Sequence, residues 1–527
     1  MSFVSTLADP RRRRTLIAAG ASLAAPAITR AQPGPRLGRD PFTLGVASGY
    51  PHPHGMVLWT RLAPAPLEVG GGMPPAPLTV EVSIAEDEAM RRVVQRGTAR
   101  ARAEGAHAVH FEAEGLSPDR WYWYRFAAGG WESPLGRTRT TPLESVDPAA
   151  LRLRLAAASC QHYERGHFVA YRQMAADAPD LILHLGDYIY EGGAGDDVVR
   201  RVPGPVAVTL DDYRLRYAVY KTDPDLKRAH AACPWLVTWD DHEVENDYAG
   251  ERSQNNDPPG RFLERRADAY RAYYEHMPLP RRMLPLGPDM RLYTECAYGR
   301  LARFFMLDGR QYRTPQACVP PGRGGGVSAA PDCAGLNDPQ RSFLGAQQRE
   351  WLFGRLPARP GTRWNLLGQQ TLMQPAAVEF QGRTWIHTDG WDGYPAERRA
   401  LLAALADPRV ANPVVLGGDV HAFYANALRL DDADAASAVV ASEFVVGAIT
   451  SPTPSAGYVR RVQATHPAVR HTHTAHRGYL RMEITHDRLT ADIMGVADVR
   501  HADSPTAAVA RLVVEAGRPG PLAGALP

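Results

Sequence analysis

Carboxylate, imidazole and thiol side chains follow the ends of several apolar segments of this chain, in LRLAAASC, LILHLGDYIY, WLVTWDDHEVEND and NPVVLGGDVH. Taken singly, a glycine and an aspartate after a strand are typical of an ordinary turn. Taken together, these residue types are those of a dinuclear metal site, in which one carboxylate is shared by two cations. The sequence therefore predicts such a site. The side chains at these positions are Cys160, Asp187, Asp241, His242, Asn246, Asp419 and His421.

A strand, a helix and a second strand are predicted to position the first two candidate ligands. LRLAAASC and LILHLGDYIY have the apolar runs of buried strands, and GHFVAYRQMAADAPD between them places Phe168, Tyr171 and Met174 at helical spacing. Parallel strands joined in this way end at the same edge of a sheet. We therefore expect Cys160 and Asp187 to lie close together.

The length and the pattern of the chain indicate more than one domain. The sequence has 527 residues with 44% hydrophobic content, enough for at least one large core. Residues 41–142 contain short alternating segments separated by Gly, Pro and acidic turns, which is typical of a β-sandwich. Beyond a polar linker, strands alternate with helices over residues 150–500. This second region is predicted to be a layered α/β domain that carries the chemistry.

The N-terminal 31 residues are typical of an export signal. A basic run from Arg11 to Arg14 precedes a short apolar stretch, and small residues at Thr29 and Ala31 suit cleavage. The paired arginines resemble the twin-arginine type. We therefore expect a periplasmic or secreted protein, exported folded by the twin-arginine machinery; an unstructured basic tail is the alternative. No apolar run is long enough for a transmembrane segment.

Charge, cysteine content and a histidine-rich tract bear on possible partners, disulfides and further metal sites. A formal net charge of +3 gives no basic footprint, so we expect no stable nucleic-acid partner. Of the five cysteines, Cys318 and Cys333 lie in a Pro/Gly-rich stretch where a disulfide is expected. The histidine-rich tract at residues 466–476 is interpreted as a solvated loop in preference to a metal-binding tract.

Several motifs, in order along the chain, carry a resemblance to a known family. They are GDYIYE, WDDHEVEND, LDGRQYR, LGAQQREWL, GQQTLM, HTDGWDGYPAERRALL, GGDVHAFYAN and HRGYLRMEIT. This set resembles the PhoD-type alkaline phosphatases of the metallophosphoesterase superfamily. The resemblance implies an α/β fold, a four-layer metallophosphoesterase-type sheet sandwich flanked by helices, with an N-terminal immunoglobulin-like β-sandwich. It also implies a metal-activated water that hydrolyses phosphate monoesters and, in many members, diesters.

The resemblance further implies one ferric iron and two calcium ions as cofactors. The implied iron ligands are Cys160, Asp187, Tyr190 and His421. The implied calcium ligands are Asp187, Asp241 or Asn246, and Asp419. Ferric iron suits a phenolate and a thiolate, which a metal cation deprotonates, and calcium requires oxygen donors.

Three further residues have predicted roles in catalysis or substrate binding. His242 follows Asp241 directly, and we expect it to assist the leaving group or to contact the phosphate. Arg310 and Arg313 in LDGRQYR could bind phosphate oxygens bidentately, although ion pairing is the commoner role of an arginine. The chain has no GxSxG motif, so no covalent serine is expected.

Two other functions stay open at the level of sequence. One is a phosphodiesterase of phospholipase D type on the same scaffold, because the rim of a site and not its metal ligands chooses between monoester and diester. The other is a non-enzymatic exported metal-binding protein, which the N-terminal sandwich alone would support.

Overall fold

The computed structural model describes residues 36–193, 195–196 and 198–526. The predicted signal at residues 1–31 lies outside them. Within the described part of the chain, no helix combines the length and the apolar character needed to cross a bilayer.

The strands and helices have the following bounds. The N-terminal strands are β1 (Val46–His52), β2 (Gly55–Arg61), β3 (Leu78–Ala85), β4 (Val93–Ala101), β5 (Ala108–Ala113), β6 (Trp121–Ala128), β7 (Trp131–Glu132) and β8 (Gly136–Arg139). The central strands are β9 (Leu153–Ala158), β10 (Leu181–His184), β11 (Pro234–Val237), β12 (Thr294–Tyr298), β13 (Ala302–Met306), β14 (Ser328–Ala329), β15 (Trp364–Gly368), β16 (Val378–Phe380), β17 (Arg383–His387) and β18 (Pro413–Gly417). The C-terminal strands are β19 (Phe423–Arg429), β20 (Val439–Val445), β21 (Val469–His473), β22 (Arg477–Ile484), β23 (Arg488–Val496), β24 (Thr506–Glu515) and β25 (Arg518–Gly524). The α-helices are α1 (Val169–Ala176), α2 (Leu210–Lys221), α3 (Pro224–Ala232), α4 (Pro259–His276), α5 (Ala346–Arg355), α6 (Pro395–Leu405) and α7 (Ala456–Thr465).

Two large sheets form the centre of the molecule. The first has the strand order β25-β24-β23-β22-β9-β10-β11-β1-β2-β5, and the second has the order β12-β13-β15-β18-β20-β19-β21. Strands β9, β10 and β11 are parallel neighbours. Their continuous apolar sequences reflect burial on both faces.

Alternate side chains of the second sheet face opposite layers. Phe304 on β13 packs into the core shared with the first sheet, whereas Phe305 packs with Leu352 of α5 and Leu401 of α6. On the other side, α1 and α3 pack against the first sheet. Helices, two sheets and helices make four layers, which confirms the predicted fold class.

Local signals in the sequence explain where two helices begin. Thr209 and Asp212 form a capping box at the start of α2, in which each side chain accepts a hydrogen bond from the other residue's backbone N–H. Asp223 accepts hydrogen bonds from the backbone of the first turn of α3, and Pro224 occupies the first helical position. The two caps fix the start of α2, which packs against α4, and of α3, which packs against α1 and β1.

The N-terminal segment forms the predicted sandwich but shares one of its sheets with the rest of the chain. Its core joins side chains of β1 and β2, such as Val46 and Leu58, to Val82 of β3 and Phe126 of β6. Strand β1 also pairs in parallel with β11, with Gly49 opposite Trp235. The first sheet therefore contains strands from both sides of the predicted boundary between residues 142 and 150. The domain boundaries themselves stay predictions.

Two smaller expectations have different outcomes. Cys318 and Cys333 form the expected disulfide, with their Cα atoms 6.0 Å apart. The interpretation of the histidine tract as a solvated loop is wrong, because Val469–His473 form β21 at the edge of the second sheet. Its pairing with β19 explains the difference, since this long-range contact has no local signature in the sequence.

Candidate metal centre

The candidate ligands lie just beyond the carboxyl ends of strands from both large sheets. Cys160 follows β9, Asp187 follows β10 and Asp241 follows β11, all in the first sheet. Asp419 and His421 follow β18 of the second sheet. The site is therefore built where the two sheets meet.

Unusual backbone conformations turn several of these residues towards one another. Cys160, Asp187, Asp419 and His421 have φ angles of 57°, 56°, 64° and 53°, in the left-handed region that is costly for residues other than glycine. Such strain persists only where the surrounding structure holds it, and it clusters at functional sites. Burial of Asp187 and Cys160 to about 1% exposure shows how firmly this backbone is held.

Two groups of potential ligands share one carboxylate. The first contains Cys160, Asp187 and His421, and the second contains Asp187, Asp241 and His242. Within each group the ligand atoms lie within 4.8 Å of one another. Asp187 therefore occupies the position expected of a residue that bridges two cations.

Tyr190 connects the first group by hydrogen bonds. Its hydroxyl donates to Asp187 Oδ2 at 2.8 Å and lies 3.2 Å from His421 Nε2, while Ser451 Oγ donates to it at 2.7 Å. His421 Nδ1 lies 2.9 Å from the carbonyl oxygen of Pro452. This contact orients the imidazole ring with Nε2 towards the group, as a hydrogen bond to the other ring nitrogen does in metal-binding histidines.

His242 is oriented by a buried carboxylate. Its Nδ1 lies 2.7 Å from Glu191 Oε2, so Nε2 is the ring nitrogen left free. Burial lowers the pKa of His242, but the negative charges of Glu191, Asp241 and Asp187 outweigh it and raise the pKa well above the usual value. These carboxylates therefore favour the charged form of the imidazole.

Excess negative charge is the main electrostatic property of the site. Burial raises the pKa of the Asp240 carboxyl well above its usual range, and the nearby Asp241 and Asp419 add to this effect while Arg310 opposes it. Burial likewise raises the pKa of the Cys160 thiol, and Asp187 raises it further. Asp187 Oδ1 is buried and has no hydrogen-bond partner among the described residues. A cation bound beside Asp187 and Cys160 would provide compensating charge for these two groups.

The two predicted phosphate-binding arginines lie inside the protein. The side chains of Arg310 and Arg313 are 0% exposed and both pair with Asp389, at 2.8 Å and 3.1 Å. Arg310 also pairs with Asp240, and Arg313 stacks over Phe343 at 4.2 Å. With no face open to solvent, this geometry argues against the predicted contact with substrate and favours a role in holding the carboxylates.

The two remaining predicted calcium ligands are Asp419, which belongs to neither group, and Asn246. Thr371 Oγ1 donates a hydrogen bond to Asp419 Oδ2 at 2.6 Å, so this carboxylate is already oriented. The backbone N–H of Asn246 donates to Glu191 Oε1 at 2.8 Å, and its side-chain amide makes no hydrogen bond within the described ranges.

Comparison with known proteins agrees with this arrangement. The family model described as PhoD-like phosphatase matches residues 155–493, and the model for the N-terminal domain of PhoD-like phosphatases matches residues 27–142. The chain belongs to the PhoD-like phosphatase family. It is 42% identical over 467 residues to alkaline phosphatase D of Bacillus subtilis (strain 168), which covers 87% of this chain and 78% of that protein.

Solved structures of related proteins show the same fold. The structure of PhoD matches with a TM-score of 0.87 and 40% identity over 94% of each chain. A purple acid phosphatase, PPD1 from yellow lupin seeds, matches with a TM-score of 0.53 at 12% identity, covering 88% of this chain and 73% of that one, and so shares the fold alone. The resemblance read from the sequence motifs is confirmed.

Membership of the PhoD-like family establishes the class of reaction. The chain is a phosphatase of the hydrolase class, and it hydrolyses phosphate esters. PhoD-type phosphatases depend on metal, and the two ligand groups give this chain the residues to bind it. A non-enzymatic metal-binding protein is therefore excluded.

Sequence reasoning missed several residues that support the PhoD-like site. Glu191 orients His242, Asp389 pairs with both buried arginines, and the ring of His162 stacks on Tyr190 with 4.3 Å between centroids. Glu191 could have been predicted from the sequence, because it ends the GDYIYE motif one position after Tyr190. Asp389 had no local signal for its role, since 79 positions separate it from Arg310.

Proposed function

We propose that this phosphatase holds one ferric iron and two calcium ions and uses them to hydrolyse phosphate monoesters and diesters. The observation that carries the proposal is that two ligand groups share Asp187. The proposed iron ligands are Cys160, Asp187, Tyr190 and His421, and the proposed calcium ligands are Asp187, Asp241 or Asn246, and Asp419.

The donor atoms fit these ions chemically. A thiolate and a phenolate suit ferric iron, and carboxylate and amide oxygens suit calcium. Burial and the Asp187 charge raise the pKa of Tyr190 well above its usual value, as they do for Cys160. Only a strong local cation would therefore make both groups anionic.

The protein's own residues divide the catalytic work. When bound, the metals supply charge neutralisation at the phosphoryl oxygens and lower the pKa of a water. Glu191 holds His242 by Nδ1, so the proton on Nε2 faces away from that carboxylate. In our proposal His242 donates this proton to the departing alkoxide. Arg310 and Arg313 hold Asp240 and Asp389 in place, as positioning residues.

The preferred ester is a separate part of the proposal. A phosphodiesterase of phospholipase D type remains the alternative, since it would use the same ligands. Rates with p-nitrophenyl phosphate, bis-p-nitrophenyl phosphate and phosphatidylcholine separate the two. Faster hydrolysis of phosphatidylcholine than of the monoester would reverse our assignment.

We also propose export through the twin-arginine route to the periplasm or medium. The support is the Arg11–Arg14 run with the apolar stretch after it, together with the disulfide between Cys318 and Cys333, which suits an oxidising compartment. Replacement of Arg11–Arg14 by lysine should leave the protein in the cytoplasm.

Metal analysis of the purified enzyme tests the cofactor assignment. We expect iron and calcium in a ratio of one to two. Treatment with EGTA should abolish hydrolysis of p-nitrophenyl phosphate, calcium should restore it, and zinc should not. Full activity after exhaustive dialysis against EGTA would exclude the calcium assignment.

A further inference from the structure

Three histidines of the tract at residues 466–476 lie close to one another at the end of β21. His473 is the last residue of β21, and His476 comes just before β22. His473 Nε2 lies 2.9 Å from His476 Nδ1, and the two rings are parallel to within 2°. We call His471, His473 and His476 the histidine cluster. It shares no residue with either ligand group at Asp187.

The histidine cluster lies on the connection between the two large sheets. Strand β21 is the edge strand of the second sheet, and β22 belongs to the first. His473 is paired with Phe423 of β19. His476 packs on β23, where a Cβ added at Gly495 would lie 2.9 Å from the His476 Cβ. One ring is therefore held by each sheet, and the glycine leaves room for the second.

The spacing of the paired nitrogens fits two ligands of one ion. Imidazole nitrogens lie about 2.0–2.1 Å from a bound zinc ion, so two of them at a tetrahedral angle are about 3.3 Å apart. With the same bond length, two nitrogens at a right angle are about 2.9 Å apart. The observed distance of 2.9 Å matches the right-angled geometry that Cu²⁺ and Ni²⁺ prefer.

The protonation and the surroundings of the rings also suit such an ion. Burial, together with the neighbouring rings of His476 and His471, lowers the pKa of His473 to about 4. Burial lowers the pKa of His471 as well. Neutral imidazole is the form that binds a metal. No carboxylate of the described residues lies within 4.0 Å of the three rings, and donors of this kind favour transition metals over calcium or magnesium.

His471 offers a third donor beside the pair. It lies two residues before His473 on β21, and alternate side chains of a strand share one face, about 6.7 Å apart. Its Nε2 is buried and has no hydrogen-bond partner among the described residues. A bond to a metal would satisfy this nitrogen. Within the described ranges, only the metal centre has three ligand atoms within 4.8 Å of one another, so His471 reaches an ion at the pair by turning its ring.

We propose that the histidine cluster binds one Ni²⁺ or Cu²⁺ ion through His473 Nε2 and His476 Nδ1, with His471 as the third ligand. This site is separate from the iron and calcium positions proposed above and does not depend on them. Without the ion, one of the two facing nitrogens carries the proton of their contact. When the ion binds, that ring takes its other tautomer, so no net release of a proton is required. The ion then ties the end of β21 to the start of β22.

Nickel binding to the enzyme, with the metals it is purified with, tests the cluster. The variant combines His473→Ala and His476→Ala, and the control combines His486→Ala and His501→Ala, which removes two histidines from the surface elsewhere. Equilibrium dialysis against NiCl2 with elemental analysis should find one additional nickel ion per wild-type chain. The variant should bind nickel at least about tenfold more weakly, because losing even a residue that only hydrogen-bonds a ligand costs about 10–100-fold. The control should keep the wild-type affinity.

Spectroscopy and melting show whether the ion is bound by these rings. The electron paramagnetic resonance spectrum of added Cu²⁺ should show splitting by imidazole nitrogens in wild type and control, and not in the double variant. Nickel should raise the melting temperature of wild type and control, because it binds the folded chain, and should leave that of the double variant unchanged.

Phosphatase activity shows that the variants are folded. Hydrolysis of p-nitrophenyl phosphate without nickel should be equal in all three proteins, because none of the substituted residues lies in the metal centre. Should the double variant lose this activity, His476→Gln, which retains a polar side chain, takes its place in the comparison. Absence of nickel binding by wild type, or equal nickel affinity of wild type and variant, would overturn the proposal. The contact between His473 and His476 would then be a hydrogen bond between imidazoles and nothing more.

Discussion

Asp187 is held in place by its backbone as well as by its side chain. Glu243 accepts hydrogen bonds from the backbone N–H groups of Asp187, Tyr188 and Asp240, at 3.2, 2.6 and 2.9 Å. Tyr190 donates to one carboxylate oxygen, and the other is buried without a partner. The position of this carboxylate between the two ligand groups is therefore independent of any mobile side chain.

Removing the shared carboxylate should release metal. Asp187→Ala deletes a ligand from both groups at once, so we expect loss of bound metal, loss of activity and a lower melting temperature, since metal binding contributes to folding. Asp187→Asn keeps the volume and is the matched control for packing. If Asp187→Ala retained its full metal content, the residue would not be a bridging ligand.

His242 should behave differently from Asp187. A positioned proton donor typically contributes about 10² to 10⁴ in rate, so His242→Ala should lose most of its turnover with an unchanged metal content. The measurement pairs kcat with elemental analysis for each variant. Turnover close to wild type would make His242 a structural residue, and loss of metal would make it a ligand of the group that it shares with Asp187 and Asp241.

Tyr190 has a spectroscopic test. If its phenolate and the Cys160 thiolate bind ferric iron, the enzyme should absorb visible light. Tyr190→Phe should then shift or remove this band, while the ring contacts with His162 and His242 are preserved. An active but colourless, iron-free enzyme would contradict the assignment.

At the level of elements, the sequence predicted which ligands follow neighbouring strands of one sheet. It did not predict that the remaining ligands come from a second sheet. Parallel pairing of β9 and β10 brings Cys160 to Asp187 as expected from the βαβ pattern. The sequence did not indicate that β18, with Asp419 and His421, belongs to a different sheet. Apolar strands of both sheets have the same composition, because both are buried on two faces.

The predicted phosphate contact of Arg310 and Arg313 stays a prediction, and the reason is again a contact that local sequence does not show. Residue type and spacing made Arg310 and Arg313 suitable for phosphate, but their partner Asp389 belongs to a distant segment of the chain. Local sequence cannot distinguish an arginine paired inside the protein from one that faces substrate. Burial decides between these roles, and burial depends on the tertiary fold.

The last residue of α2 provides a prediction about stability. Lys221 is buried, and its ammonium nitrogen lies 4.4 Å from the centre of the Trp59 ring and 5.3 Å from that of Tyr188. The imidazoles of His184 and His230 are nearby, and burial lowers their own pKa values, so they are neutral. Burial lowers the pKa of Lys221 to about 7.

The sign of the pH dependence follows from this shift. Below pH 7 the lysine is charged in both folded and unfolded chains, and the cost of burying the charge is fully present. Between about pH 7 and 10 the unfolded chain binds one more proton than the folded one, so the free energy of unfolding contributed by Lys221 rises with pH, by up to about 1.4 kcal/mol per pH unit. The lysine is thus least favourable to folding in neutral or acidic solution.

Lys221→Met should remove this contribution. We expect the variant to be more stable than wild type at pH 7, with a difference that shrinks as the pH rises towards 10. Lys221→Arg, which stays charged throughout, should be less stable than wild type at high pH. Chemical denaturation of the metal-loaded protein at several pH values measures all three. The same pH slope in wild type and Lys221→Met would show that the ammonium group is not the cause.

At the scale of the whole molecule, the N-terminal sandwich and the catalytic layers are joined by main-chain and side-chain contacts. Strand β1 continues the first sheet beside β11. The Trp59 indole N–H donates to the carbonyl oxygen of Glu275 on α4 at 3.0 Å, and Arg61 lies 2.6 Å from His276 through the facing nitrogen atoms. The two regions should therefore unfold together, unlike domains joined by a linker alone.

A substitution far from the metal centre tests this cooperativity. Ile84 on β3 is fully buried in the sandwich core, so Ile84→Ala should cost about 2–5 kcal/mol. If the sheet couples the two regions, the loss of phosphatase activity and the loss of secondary structure should move together to a lower denaturant concentration, in a single transition. Val94→Ala on the neighbouring β4, whose side chain is 48% exposed, should change the midpoint little and serves as the control. Activity that survived a first unfolding step in Ile84→Ala would show instead that the catalytic layers are stable without the sandwich, and that the shared sheet adds nothing to their folding.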